Sequence, residues 1–444
     1  MRDGELKLQQ VAIALTEACT NNGLIQDDGA SAFERTLQSG LRAGISRLPD
    51  RLTENAHATA FAEAACNEFR YDHTRKRWHR WTGSHWKVDE KDEALLAVRR
   101  FLEARSERER DNRVSTARAV LTAAACEPAC AISANDWNSD PYLLGTPDGV
   151  VDLRTGILSP ADPSLLINAI TSVSPAAPGT HAPLWEKFLG EATAGDQELQ
   201  DYLQRAAGYF CTGDTSLERF FFVHGPGGNG KGVAIGAIAA CLGDYAVAAN
   251  ANLFMASPNE RHLTELARLH GARLVTSSET EAGRSLAVAR VKELTGNERP
   301  ITANFMRQDH FEYRPTFKLV IVGNERPRIP NVDAAIQRRL DFIPFTHQPA
   351  QPDPTLKERL KSEYPAILRG MIDGAAKMLK SGLPRPAIVQ IATGEYLAEE
   401  DLRALWFAEA VERVPDNFVP SSARSEEHTS ELQSRLHLVC RLLL

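Results

Sequence analysis

Twenty-three residues near the middle of the chain, from Phe220 to Leu242, constrain it most. Phe220-Phe221-Phe222-Val223-His224 is a short apolar run. Gly225-Pro226-Gly227-Gly228-Asn229-Gly230-Lys231-Gly232 follows at once, and VAIGAIAACL comes next. A strand, a glycine-rich loop ending in Gly-Lys, and then a helix form the context that a phosphate-binding loop requires. Glycines let backbone N–H groups turn inward around phosphate oxygens, and the helix N-terminus adds positive potential. Lys231 is placed to reach β- and γ-phosphates. Residues 225–232, with Val233, are therefore the expected contacts for ATP. One position departs from the pattern. Gly232 stands where a Ser or Thr normally offers a hydroxyl to Mg²⁺, and Val233 offers none, so the metal must lean on carboxylates and water.

The segments that follow hold further groups suited to nucleotide chemistry. ARLVTSSETEAG (272–283) reads as a strand ending in acids. In phosphate-loop ATPases the strand beside the loop ends in carboxylates that hold Mg²⁺ and polarise the attacking water. Glu279, at the strand terminus, is the expected main acid and metal ligand. Glu281 is its helper or a surface residue. KLVIVG (318–323) is another buried strand, and Asn324 at its end can hydrogen-bond a γ-phosphate or the attacking water. AAIQRRLDFIPF presents Arg338 and Arg339 before a strand; one of them could stabilise transition-state charge at a neighbouring subunit's ATP. A paired arginine on a surface is the plainer reading.

Between those two strands the chain turns locally basic, with Arg290, Lys292, Arg299, Arg307, Arg314 and Lys318. The whole chain is acidic, 51 Lys+Arg against 58 Asp+Glu, net −7. Coating nucleic acid through bulk charge is thereby disfavoured, whereas a local basic groove or pore is not. ITANFMR and HFEYRP read as two short strands with Phe305, Met306 and Arg307 near the tip, suited to gripping a phosphate backbone while touching a base or sugar.

Upstream, FRYDHTRKRWHRWTGSHWKVDE (69–90) reads as a hairpin turning at Thr82-Gly83-Ser84, with Trp78, Trp81 and Trp86 around it. It either stacks on nucleic acid or, more simply, packs its tryptophans into a small core. Residues 91–125 and 184–209 read as helical, TPDGVVDLRTG (146–156) as turn–strand–turn, and SVSPAAPGTHAP (172–183) as a Pro-rich linker and domain boundary. A second Pro-rich break, THQPAQPDP (346–354), closes the next unit. Seven cysteines lack a framework, including a CxxxC at Cys126 and Cys130, and fit reduced thiols in a cytoplasmic setting. The longest nearly apolar stretch, ten residues from Val233 to Leu242, is too short to cross a membrane. Residues 425–444, beginning SEEHTSELQS, resemble a translated sequencing adapter and are set apart from the fold as an artefact, so the natural chain is expected to continue past residue 423.

Taken in order, these segments resemble the superfamily 3 helicases, most closely the phage/plasmid primase–helicase family with its poxvirus-type relatives, over roughly residues 65–420. GPGGNGKG resembles motif A, LVTSSETE motif B, KELTGNERPITANFMRQDHFEYRPTFKL motif B′ and VIVGN motif C. RRLDFIPF resembles the arginine-finger segment, with Arg339 the closest counterpart. TPDGVVDLRTG and the segment from Trp185 to Asp214 resemble the accessory region before the ATPase.

The resemblance implies an α/β fold, an AAA+-like P-loop ATPase core with an N-terminal α+β accessory domain and a truncated helical C-terminal segment. The expected divisions are 1–60 (N-terminal helical segment), 61–180 (accessory domain), 181–346 (ATPase domain) and 355–423 (C-terminal helical segment). It implies a homohexameric ring that hydrolyses ATP with Mg²⁺ to translocate on single-stranded DNA, typically 3′→5′, in replication of phages or plasmids in a bacterial cytoplasm. A primase or replication initiator is the expected partner, and no membrane. The motif B′ hairpin would line the channel, with Arg307 the leading DNA contact, then Phe305 and Met306. The chain lacks room for a primase domain of its own. Two rival readings stand beside this one: a P-loop ATPase that loads or remodels without unwinding, and an ATP- and DNA-binding module without turnover, suggested by Gly232.

Overall fold

The computed structural model describes residues 53–105, 113–256, 263–278, 284–296, 299–305, 310–330, 332–349 and 352–401, with a few positions between 13 and 39. The chain divides into two compact units, Met1–Ser139 with Ala161–Ala169, and Asp140–Pro160 with Ile170–Leu444. The division therefore falls at Ser139, and the Pro-rich stretch 172–183 lies inside the second unit. That stretch is tied to the sheet unit by backbone: Ser172 N–H donates to Cys241 O at 3.1 Å and Ala176 N–H to Pro365 O at 2.9 Å. The adapter-like residues 425–444 lie outside the described residues.

The first unit runs α1 (Glu54–Ala65), β1 (Phe69–Asp72), β2 (Arg77–Trp81), β3 (Trp86–Val88), α2 (Glu93–Arg105), α3 (Val114–Ala124) and β4 (Ala131–Ile132). Its sheet is ordered β3-β2-β1-β4, antiparallel except for β1 against β4. The helices close over a core that includes Phe61, Phe69, Val98, Leu102 and Val120. Core use of the tryptophans prevails where their polar ends find acceptors. Trp86 is fully buried and its Nε1–H donates to Pro163 O at 2.9 Å, while Trp137 Nε1–H donates to the buried Asp72 carboxylate at 2.9 Å. Trp81 packs on Trp86, and half-buried Trp78 packs against the helix core.

The second unit opens with a small antiparallel sheet, β5 (Leu143–Thr146), β6 (Gly149–Asp152) and β7 (Ile157–Ser159). Helices α4 (Pro183–Ala192) and α5 (Gln197–Cys211) lead to β8 (Phe220–His224), α6 (Lys231–Leu242), β9 (Ala246–Ala248), α7 (Leu263–Ala267), β10 (Leu274–Ser278) and α8 (Val288–Thr295). Then come β11 (Ile301–Asn304), β12 (His310–Tyr313), β13 (Lys318–Gly323), α9 (Ala334–Arg339), β14 (Leu340–Pro344), α10 (Leu356–Arg359), α11 (Tyr364–Ser381) and α12 (Ala387–Glu400). Strands β9, β10, β13, β8 and β14 form one wholly parallel sheet in the order β14-β8-β13-β10-β9. Phe220 to Val223 are all buried, as expected of a strand covered on both faces. Helix α5 crosses α11 closely enough that a Cβ at Gly208 would stand 2.1 Å from Ala375 N, and one at Gly374 2.1 Å from Gln204 O.

This order corrects one expectation. The strand beside β8 is β13, which carries Asn324, and the LVTSS strand β10 lies one place further out, paired with β13 and β9. Both are apolar runs that pair in parallel, and their sequence says nothing about which sits nearer.

Candidate nucleotide-binding site

Strand β8 ends between two neighbours in register, with His224 opposite Gly323 of β13 and Pro344 of β14. From β8 the chain leaves for β9 at the far edge, while β14 flanks β8 on its other side. The crevice beyond the carboxyl ends of strands at such a reversal is where open α/β sheets hold ligands. Residues 225–230 occupy it, and Asn324, the next residue after β13, comes to the same level with its side chain exposed.

The loop is shaped by residues that admit no replacement. Gly225 has φ +155°, and a Cβ there would stand 1.8 Å from Phe345 O. Gly230, the N-cap of α6, has φ +84°, and its Cβ would strike the Phe188 ring at 2.7 Å. Gly227, Gly228 and Gly232 have nothing within 4 Å of an added Cβ, so this side of the loop is open space. Lys231 is buried, and its ammonium donates to Gly225 O at 2.6 Å, Pro226 O at 2.9 Å and Asn229 Oδ1 at 2.9 Å. All three acceptors are neutral. Burial lowers the Lys231 pKa, which marks a charged amine lacking compensation and favours an anion at the loop. The open backbone, the α6 N-terminus and this ammonium together fit a polyphosphate.

The segment after β14, read from sequence as a break, instead grips the loop. Phe345 N–H donates to His224 O at 2.7 Å, Asn229 Nδ2 donates to Phe345 O, and Gln348 Nε2 donates to Gly227 O at 2.6 Å. His224, also passed over in the sequence, stands at the loop entrance with its ring 5.1 Å from Phe342. Burial lowers its pKa first, and the charges of Arg326 and Lys231 lower it further. Its place at the last strand position before the glycines was the one available signal. Phe345 and Gln348 act through backbone or on backbone, which leaves no signal.

The remaining expected site residues are placed as follows. Glu279, Glu281, Met306 and Arg307 lie outside the described residues. Val233 is half-buried in the first turn of α6, and Gly232 is exposed with no hydroxyl to offer a metal. No group of three His, Cys, Asp or Glu side chains among the described residues could hold a metal ion. The basic hairpin exists as β11 paired antiparallel with β12. Phe305, however, stacks on Phe311 at 5.0 Å and 10° and packs against the sheet core, so its ring is committed to the fold rather than offered at a tip.

Arg338 and Arg339 sit at the start of β14, level with Phe220 at the start of β8. Five strand residues at ~3.3 Å each separate that level from the loop, about 16 Å, beyond the reach of an arginine side chain from its own site. Arg339 is buried and pairs with Glu218 at 2.6 Å; Arg338 is 63% exposed and meets the same carboxylate oxygen at 3.1 Å. Asp341, fully buried one residue into β14, accepts from Arg219 at 3.2 Å, from Arg385 and from the Tyr202 hydroxyl.

Residues 58–194 match the family described as D5 N terminal like, and residues 223–339 match a family of unknown function, DUF5906. A protein of Acanthamoeba polyphaga mimivirus that bears a helicase name is 25% identical over 284 residues, 59% of this chain and 30% of that protein. A helicase-named protein of Frog virus 3 is 28% identical over 175 residues, 37% of this chain and 17% of that protein. The chain thus spans less than a third of the length of these curated relatives. The apo structure of the NrS-1 C-terminal region shares the fold with TM-score 0.50 at 11% identity, over 79% of this chain and 80% of that one. In sequence the chain is therefore similar to D5-like and helicase-named viral proteins, and in fold to the NrS-1 region.

Proposed function

We propose that this chain is an ATP-dependent DNA helicase of the superfamily 3 type, hydrolysing ATP to move on single-stranded DNA as a ring of identical subunits in replication. One observation carries the reading: a glycine loop and a buried lysine with only neutral partners stand at the carboxyl end of β8, with Asn324 alongside. The helicase names of the viral relatives and the match to the D5 family support the same direction.

On this reading the loop N–H groups and the α6 N-terminus bind the phosphates, and Lys231 turns from its loop carbonyls to the β/γ oxygens. Asn324 orients the attacking water, and Glu279, with Glu281 nearby, takes its proton. Mg²⁺, when bound, neutralises charge on the β- and γ-phosphates; with Gly232 silent, Glu279 is the proposed carboxylate on the metal side. The β11–β12 hairpin delivers Arg307 and Met306 to DNA, while Phe305 stiffens the hairpin from within.

Gly232 favours a second reading, in which the chain binds ATP and DNA without turnover. ATPase rates with and without single-stranded DNA separate the two. The proposed helicase shows strong stimulation that Lys231→Ala abolishes while the fold is kept. Nucleotide binding without any turnover would put the second reading ahead, and full turnover in Lys231→Ala would remove the loop from the mechanism.

A further inference from the structure

The tandem arginines at the head of β14 differ in a way their sequence does not show. Arg339 is 7% exposed, and its guanidinium is held by Glu218 at 2.6 Å and by Ala335 O at 3.4 Å, with Nε buried and unpartnered. Arg338 is 63% exposed and touches Glu218 at 3.1 Å through the same oxygen, Oε2. Glu218 itself is a non-glycine residue at φ +50° in the turn that leads into β8, with its N–H donating to Thr215 O at 2.9 Å. A side chain with a Cβ seldom adopts that conformation unless its surroundings hold it there. Here the surroundings include the two guanidiniums.

We propose that Glu218 is a positioning residue that anchors Arg339 permanently and holds Arg338 in reserve, so that Arg338, and not Arg339, is the side chain that reaches a polyphosphate presented by a second copy of this chain. The inference rests on the ATPase reading above. Its logic is one of competition. A buried guanidinium that loses its only carboxylate is left uncompensated, so Arg339 stays with Glu218. Arg338 loses only a solvent-exposed ion pair, which is weak, and a phosphate's bidentate, doubly charged acceptor outcompetes it. The end of the sheet that carries both arginines lies about 16 Å from the chain's own loop, so the polyphosphate must come from a partner copy.

The experiment uses the full chain with four variants, Arg338→Ala, Arg339→Ala, Glu218→Gln and Lys231→Ala, each followed by thermal unfolding and by ATPase rate, alone and in mixtures. Arg338→Ala is expected to unfold at the wild-type temperature yet lose turnover roughly a hundredfold or more, as for other arginines acting in trans. Mixing it with Lys231→Ala should restore hydrolysis, because the second variant lends Arg338 to the first variant's intact loop. Arg339→Ala should unfold at a lower temperature. Glu218→Gln keeps a hydrogen bond to Arg339 and should remain folded, with DNA-independent hydrolysis raised severalfold because Arg338 is released. Normal turnover in Arg338→Ala, or no restoration in the mixture, overturns the assignment while leaving the helicase reading intact. A Glu218→Gln variant with unchanged basal rate overturns the reserve role of Glu218. Absence of turnover in the wild-type chain overturns the helicase reading and this inference with it.

Discussion

At the scale of single residues, the site depends on where a Cβ can and cannot stand. Gly225 meets Phe345 O within 1.8 Å of an added Cβ, and at φ +155° the backbone tolerates no other residue cheaply. Gly225→Ala should destabilise the second unit by ~2–4 kcal/mol through strain and displacement of the 345–348 segment, and should weaken nucleotide binding. Gly232, with open space around it, should accept Ser with a melting temperature essentially unchanged. Thermal unfolding together with nucleotide binding measured with and without Mg²⁺ checks both. If the metal lacks a hydroxyl ligand here, Gly232→Ser strengthens the Mg²⁺ dependence; equal effects of the two substitutions would contradict the geometry. The loop itself was legible in the sequence because phosphate binding imposes residue types at consecutive positions. The division between Arg338 and Arg339 was not, because adjacent identical residues differ only in what the fold places against them.

At the scale of elements, strands and helices were readable from apolar runs and turn chemistry, but their neighbours were not. Strand β13 between β8 and β10 is a consequence of crossover order in a parallel sheet, which leaves no trace in composition. The same holds for Asp341. In the sequence it is one carboxylate between Leu340 and Phe342; in the fold it ties β14 to three other segments through Arg219, Arg385 and Tyr202. Arg219 and Arg385 are only 19% and 21% exposed, so loss of the shared carboxylate leaves two largely buried charges without a partner. Asp341→Ala should therefore cost about 3–5 kcal/mol. Denaturant unfolding measures this directly, and a loss under about 1 kcal/mol would mean that solvent already carries those charges.

At the scale of the whole molecule, the two units should answer differently to acid, and His79 is the reason. It is 2% exposed in the first unit, its ring 4.7 Å from that of Trp137, with Nδ1 unpartnered. Burial holds its pKa down to about 4, against the pull of Asp72 and with the help of Arg75. In the unfolded chain the same imidazole titrates near 6.5. Between those values the unfolded state binds the extra proton, so stability rises with pH. The first unit is therefore at full strength above about pH 6.5 and loses about 3 kcal/mol as the pH falls toward 4, a change that no printed group of the second unit mirrors in that window except the partly buried His224. Thermal unfolding followed by tryptophan fluorescence reports mainly on the first unit, through Trp78, Trp81, Trp86 and Trp137. Its midpoint should fall between pH 7 and 4.5, and His79→Phe, which keeps a ring against Trp137 without the proton site, should remove most of that slope. Carboxylates titrating below pH 5 act in both forms and cancel in the comparison. An equal slope in wild type and His79→Phe would mean that the acid response belongs to other groups, and that the first unit opens to admit the proton before it unfolds.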